Sequence, residues 1–183
     1  MTVWSALAGG FAGTIALTTT LAGASHLGLT RMDIPLREIT HGLATHYHMD
    51  HAGSAQDLKN RGMRLIVTPE QEAFIAPMKA YMKEVDAYTD IALHDNVRVS
   101  CTDSRAFLKS LGFAGEIVHT PGHSDDSVSL VLDTGACFTG DLTHPMFATE
   151  EMAGRVANSW QLLRSLGATA VHAGHGPVRQ LTA

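Results

Sequence analysis

The run Thr45-His46-Tyr47-His48-Met49-Asp50-His51 sets three imidazoles and a carboxylate within the six residues from His46 to His51. Imidazoles this dense are costly in an apolar core unless each finds a partner. The fold must therefore gather polar ends of several elements into a cleft around them. Three further candidates follow, each in a short glycine-marked phrase. They are His123 in Thr120-Pro121-Gly122-His123-Ser124, Asp141 in Thr139-Gly140-Asp141, and His175 in Gly174-His175-Gly176-Pro177. Five His and two Asp are enough to hold two divalent metals about 3.5–4 Å apart with a bridging water.

The local spacing fits that use. Residues two apart in extended backbone point to one side, which pairs His46 with His48. The chain then turns at Met49, and Asp50 and His51 open the next helix, aimed at a neighbouring point. Gly122 and Gly140 remove side-chain bulk beside His123 and Asp141, and Gly174 and Gly176 do so around His175, letting backbone approach the metals. A donor set that is mainly imidazole favours zinc, with iron and manganese as the alternatives.

The chain has 183 residues, of which 45% are hydrophobic and 17% charged, an ordinary balance for one globular domain. A formal net charge of -5 disfavours nucleic acid as a partner, leaving a small-molecule substrate. Cys101 and Cys137 lie far apart without CxxC spacing and read as small hydrophobes in a reducing compartment, not as a disulfide. Oligomeric state leaves no mark on the sequence.

Residues 1–30 differ from the remainder. No Asp, Glu, Lys or Arg precedes Arg31. The apolar stretch is long enough to span a bilayer, Gly9 and Gly13 have a helix-pairing spacing, and Arg31 would favour a cytoplasmic side after it. The competing reading takes the β-branched run from Thr14 to Leu21 as a buried strand. Residues 1–30 are thus a membrane-contacting or packed N-terminal element, and 31–183 form the main domain. The expected location is cytoplasmic, with membrane association under the first reading.

From Ile34 onward short apolar runs alternate with helical stretches, which defines an α/β protein. Strands are expected at 39–45, 64–67, 97–100, 115–120, 127–132, 136–139 and 168–172. Helices are expected at 53–61, from Pro69 toward Val85, at 104–111 before Gly112, and at 150–166 before Gly167.

The His46–His51 cluster, the His123 and Asp141 phrases and Gly174-His175-Gly176-Pro177 together resemble the metallo-beta-lactamase-fold hydrolases over about residues 34–181. The resemblance implies a four-layer αββα sandwich with metals at one edge of two sheets. It puts His46, His48 and His123 on a first metal, Asp50, His51 and His175 on a second, and Asp141 between them. It implies hydrolysis by a metal-bridged hydroxide, with Asp50 and Asp141 as the catalytic carboxylates. The N-terminus departs from the pattern: family members open with several strands and an acidic turn before the first cluster. Here either residues 1–30 improvise those strands or the sheet lacks them.

Asp141 argues against an antibiotic lactamase. The acidic chain argues against an RNA-processing nuclease. The absence of an added helical region after Ala183 argues against a glutathione thioesterase. A small ester, lactone or thioester remains as the expected substrate. The alternatives are a non-catalytic or degenerate metal-binding relative and a mononuclear-iron oxygenase on the same scaffold. Of the other polar residues, His119 and His172 read as supports behind the ligands. Tyr47 and His144 are weaker candidates for facing substrate. Asp125 and Asp126 read as loop caps or solvated residues, and His26, His41 and His94 as surface or locally hydrogen-bonded groups.

Overall fold

A computed structural model describes residues 39–83 and 88–181 in full, and residues 2–8 and 14–21 by their backbone. Two five-stranded sheets organise them. The first runs β1 (Thr2–Ala8), β2 (Thr14–Leu21), β3 (Ile39–Ala44), β4 (Arg64–Val67), β5 (Val97–Arg98) in that spatial order. The second runs β10 (Arg179–Gln180), β9 (Ala170–Ala173), β8 (Ala136–Gly140), β7 (Val128–Leu132), β6 (Gly115–His119). β2 runs antiparallel to both its neighbours, β1 and β3, whereas β3, β4 and β5 are parallel. The parallel steps are made by helical crossovers: α1 (Met49–Ala52) and α2 (Ala55–Asn60) lead from β3 to β4, and α3 (Pro69–Ile75) leads on towards β5. In the second sheet β6, β7 and β8 form a meander, α5 (Glu150–Ser165) crosses to parallel β9, and β10 closes antiparallel.

Period-two alternation assigns each strand residue to a layer. In β4, Leu65 and Val67 pack outward with Ile75, Met78 and Ala55, while Ile66 points inward. In the second sheet Ile117, Leu130 and Phe138 meet Leu43 and Ile66 between the sheets. Their neighbours Val118, Val131 and Cys137 turn the other way onto Leu163 of α5. The result is helix, sheet, sheet, helix, the αββα order expected of the sequence. Leu108 of α4 (Ser104–Ser110) joins the inter-sheet cluster and covers it beside β6.

The N-terminal segment supplies strands. Residues 14–18 of β2 pair with residues 39–44 of β3, and β1 pairs with β2 along its whole length, so the first sheet has two strands ahead of β3. Among the described residues no helix is long and apolar enough to cross a membrane. The spanning-helix reading of residues 2–8 and 14–21 is therefore replaced by β-structure. Arg31 and His26 lie outside the described residues.

Two expected boundaries move. The helix from Pro69 was expected to run toward Val85, but the α-helix ends at Ile75 and the chain continues as a 3-10 turn over Ala76–Tyr81. Pro77 is the cause, because it has no N–H to donate to the preceding turn; Val85 lies outside the described residues. β5 stops at Arg98 instead of residue 100. By contrast Gly112 and Gly167 follow α4 and α5 with φ of 87° and 80°, the left-handed conformation that ends a helix most cheaply with glycine. Both cysteines are free thiols. Burial pushes Cys137 up to about 12, and burial with Glu70 nearby pushes Cys101 up to about 11, so neither is a ready nucleophile.

Leu130→Ala should leave a void between the sheets and cost about 2–5 kcal/mol. Urea denaturation checks this: the midpoint should fall with an unchanged slope, whereas Leu162→Ala on the outer face of α5 should cost far less.

Candidate metal centre

All seven candidate side chains arrive at one edge of the sandwich. His46 and His48 follow β3, Asp50 and His51 lie in α1, His123 is in the β6–β7 loop, Asp141 follows β8, and His175 follows β9. They fall into two groups, each with its potential ligand atoms within 4.8 Å of one another: His46, His48 and His123, then Asp50, His51, Asp141 and His175. In the first group His48 Nδ1 lies 3.1 Å from both His46 Nε2 and His123 Nε2. In the second, Asp50 Oδ2 is 3.0 Å from His175 Nε2 and 3.4 Å from His51 Nε2. Asp141 Oδ2, in the second group, also approaches the first. It lies 3.2 Å from His51 Nε2, 3.5 Å from His175 Nε2 and 3.9 Å from His123 Nε2.

These separations fit a metal site. Zinc–nitrogen bonds of about 2.0–2.1 Å arranged tetrahedrally give ligand–ligand edges of roughly 3.3–3.4 Å. Imidazole nitrogens brought that close without a cation would be poorly placed, since two acceptor nitrogens repel and at most one ring proton can lie between them.

Burial sets the charge state. His46 and His51 are 0% and 2% exposed. Burial, then the neighbouring imidazoles of His51, His123 and His48, drive His46 down to about 2, so it stays neutral and open to a cation. His123 is lowered too, mainly by burial. Burial opposes ionisation of Asp141, but the hydrogen bond from His51 and the surrounding imidazoles outweigh it and hold the carboxyl below its ordinary value. His46 and His123 thus present neutral nitrogens and Asp141 an anionic oxygen, the protonation state that metal binding requires.

Neighbouring groups fix the loops. Buried Asp126 accepts the Tyr47 backbone N–H at 2.6 Å, pinning the middle of the histidine cluster. Gln71, fully buried, donates to the Ala44 carbonyl at 2.8 Å from the far side. Val128 N donates to the Thr45 carbonyl at 2.8 Å, tying the end of β3 to the start of β7 across the two sheets. Ser159 of α5 donates to the Pro121 carbonyl at 2.7 Å and steadies the His123 loop. Gly174 is required sterically: a Cβ there would stand 2.5 Å from Asp141 Oδ1 and 2.7 Å from His51 Cε1. At Gly140, φ of 55° and the Thr45 hydroxyl together exclude a side chain. Gly122, expected to admit backbone to the metals, instead makes room for Val156 and Leu142, and Gly176 faces open space.

The remaining polar residues divide. His119 Nε2 lies 2.7 Å from the Asp125 carbonyl oxygen, so it supports the His123 loop as expected. His172 does not reach toward the ligands; it stacks on Phe138 with ring centres 4.6 Å apart. His144 lines the cleft and accepts from Met146 N at 3.2 Å. Tyr47 is buried, with its ring in the wall of a neighbouring cavity. Asp125 pairs with Arg155, while Asp126 is no solvated residue but a buried cap. His41 is buried against Phe107 and locally hydrogen-bonded, as the second alternative had it, with Nδ1 3.1 Å from Thr40 Oγ1, and His94 is exposed. Asp126, Gln71 and Ser159 are supports that the sequence did not reveal as such, for their partners are backbone groups 79, 27 and 38 positions away.

The comparison with known families decides what this arrangement is. The sequence pattern of the metallo-beta-lactamase superfamily matches residues 9–175. The chain belongs to that superfamily. It is 30% identical over 168 residues to an atrochrysone carboxyl ACP thioesterase of Aspergillus fumigatus, covering 88% of this chain and 31% of that protein. It is 28% identical over 130 residues to a hydroxyacylglutathione hydrolase of Rhodopseudomonas palustris, covering 70% of this chain and 44% of that protein. Among solved structures, a metallo-beta-lactamase family protein of Thermus thermophilus superposes with a TM-score of 0.61 at 20% identity, covering 97% of this chain and 69% of that one. The chain spans less than half the length of the curated relatives it matches.

Two outcomes follow for stability. Asp126→Ala leaves the Tyr47 N–H buried without its acceptor and should cost about 1–3 kcal/mol by urea denaturation. His46 and His123 have depressed values in the folded chain, so the unfolded state binds more protons as pH falls. After chelation, stability should decline as pH drops below about 6.5, the unperturbed histidine value, and be fully present above it. A urea midpoint that stays flat from pH 7.5 to 5 would contradict this.

Proposed function

We propose that this superfamily member is a dinuclear metal-dependent hydrolase acting on a small ester, lactone or thioester. The single observation that carries the reading is the position of Asp141 Oδ2, within 4 Å of His123 in one ligand group and of His51 and His175 in the other. A carboxylate so shared suits two cations. In this reading His46, His48 and His123 hold one ion, Asp50, His51 and His175 hold the other, and Asp141 spans both. Zinc suits the imidazole-rich set, with iron or manganese as alternatives.

Bound there, such ions supply a hydroxide at neutral pH and an electrophilic partner for the substrate carbonyl. The protein's part is positioning. Asp50 is half exposed, and the carboxylate oxygen it would leave free of the second ion would orient an attacking water and accept its proton. His48 and His123 stand at the open side of their group, whereas His46 and His51 are sealed behind them, so substrate approaches across His48, His123 and His175. The thioesterase name of the Aspergillus relative favours a thioester within the proposed class. The negative chain charge and the depth of the cleft suit a small molecule over a nucleic acid.

Elemental analysis of purified protein should give two divalent ions per chain, zinc foremost, together with hydrolysis of at least one member of an ester, lactone and thioester panel. His123→Ala and Asp141→Ala should each lower both metal content and turnover by a factor of at least about 100. Two ions with no hydrolysis across the panel would favour a non-catalytic relative. One iron with oxygen uptake would favour an oxygenase.

A further inference from the structure

Two cavities flank the ligand cluster, and their chemistry differs. The first, about 720 Å³, is walled by Ala73, Phe74, Pro77, Met78 and Tyr81 and opens at His48. The second, about 550 Å³, runs from His123, Asp141 and His175 past Trp160 to Arg164 and Arg179. They meet where His48 Nδ1 and His123 Nε2 stand 3.1 Å apart. A substrate crossing the ligand cluster therefore has one half in each.

The first cavity has an apolar interior. Met49, Phe74 and Tyr81, three of the large apolar side chains the fold leaves exposed, all face it. Exposed apolar groups gathered in one concavity mark a ligand site more often than a defect in packing. Its polar residues are few: His48, Ser124, and Asp126, whose Oδ2 already accepts the Tyr47 N–H. Among the described residues no Lys or Arg lines it. The second cavity carries two guanidinium groups, and Arg179 makes no ion pair among the described residues. In a chain of net charge -5, Arg179 beside this cleft is a local attraction for a negative group, while Arg164 is already engaged with another group.

Resting on the hydrolase reading above, we propose that the substrate is a thioester or ester whose acyl half is a large apolar group, seated against Phe74 and Tyr81, and whose thiol or alcohol half is anionic, lying toward Arg179. The carbonyl then lies over His48 and His123. Water adds to the acyl carbon, the C–S or C–O bond breaks, and the thiol or alcohol departs through the second cavity with a proton. The acid product keeps its apolar end in the first cavity, with its carboxylate at the ligand cluster and the water's second proton released to solvent. Shape and charge so divided fix the direction in which the substrate lies, since reversal would put an anion against Phe74 and Met78.

The test uses the metal-loaded full chain and four thioesters. 2-Naphthoyl and acetyl groups are each joined to 3-mercaptopropionate, which is anionic, and to 2-mercaptoethanol, which is neutral. Wild type should prefer naphthoyl over acetyl by at least about tenfold in kcat/KM. It should also prefer the anionic over the neutral thiol. Phe74→Ser combined with Tyr81→Ser should collapse the first ratio toward one, with metal content intact, and Phe74→Leu should preserve it. Arg179→Gln should collapse the second ratio and leave the first. Calorimetry of 2-naphthoate against acetate reads the first cavity without turnover. Naphthoate should bind at least about tenfold more tightly, and the double variant should lose that margin. If naphthoate binds with this margin while no thioester is cleaved, the cavity assignment stands and the hydrolase reading falls. Equal binding of naphthoate and acetate, or thioester cleavage indifferent to the acyl group, would overturn the proposal.

Discussion

Burying His46 and His51 is the physical constraint on which the rest of the architecture depends. Neither ring is accessible enough for water to solvate it, and the depressed value of His46 shows that protonation is no remedy. Desolvated nitrogens of this kind need a cation or a hydrogen-bond donor, and the surrounding groups are arranged to leave room for a cation. The two sheets meet at this edge. The first supplies the end of β3 and the early cluster, and the second supplies Asp141 after β8 and His175 after β9. Val128 N on the Thr45 carbonyl, and Gly174 N on the Gly140 carbonyl at 2.8 Å, are the backbone links that hold the contributing segments in register. Displacing either link would move ligand atoms by more than a tetrahedral site tolerates.

The same constraint explains why Asp126 and Gln71 are buried despite their polarity. A loop bearing three imidazoles has few internal hydrogen bonds, so its backbone must be satisfied by other parts of the chain. Asp126 holds Tyr47 from the second sheet's loop, and Gln71 holds Ala44 from the start of α3. The histidine loop is thus tied down by both, with the exposed apolar residues Phe74 and Tyr81 beyond it.

Much of this was legible in the chain because it is written locally. The His46–His51 cluster and the three glycine-marked phrases each identify themselves within a few residues, and Gly112 and Gly167 mark helix ends by the same kind of short-range rule. β4 reads correctly because its four residues are bounded by turn chemistry and alternate cleanly between two cores. What escaped is non-local. β10 is two exposed residues that count as a strand only because β9 lies beside them. β1 is too rich in small residues to announce itself, and pairing with β2 defines it. Asp126 looks like any loop aspartate until the distant Tyr47 N–H is placed against it. The helix that stops at Ile75 was readable in principle, since Pro77 was in view, but apolar spacing outweighed it.

The central claim is that seven side chains from both sheets surround a pair of cations with Asp141 between them. Anomalous diffraction at the metal absorption edge on crystals of the native protein tests it most directly. The account predicts two peaks about 3.5–4 Å apart, one within bonding distance of His46, His48 and His123 and the other of Asp50, His51 and His175, with Asp141 reaching both. A single peak, or two peaks with the Asp141 carboxylate turned away from either, would contradict it.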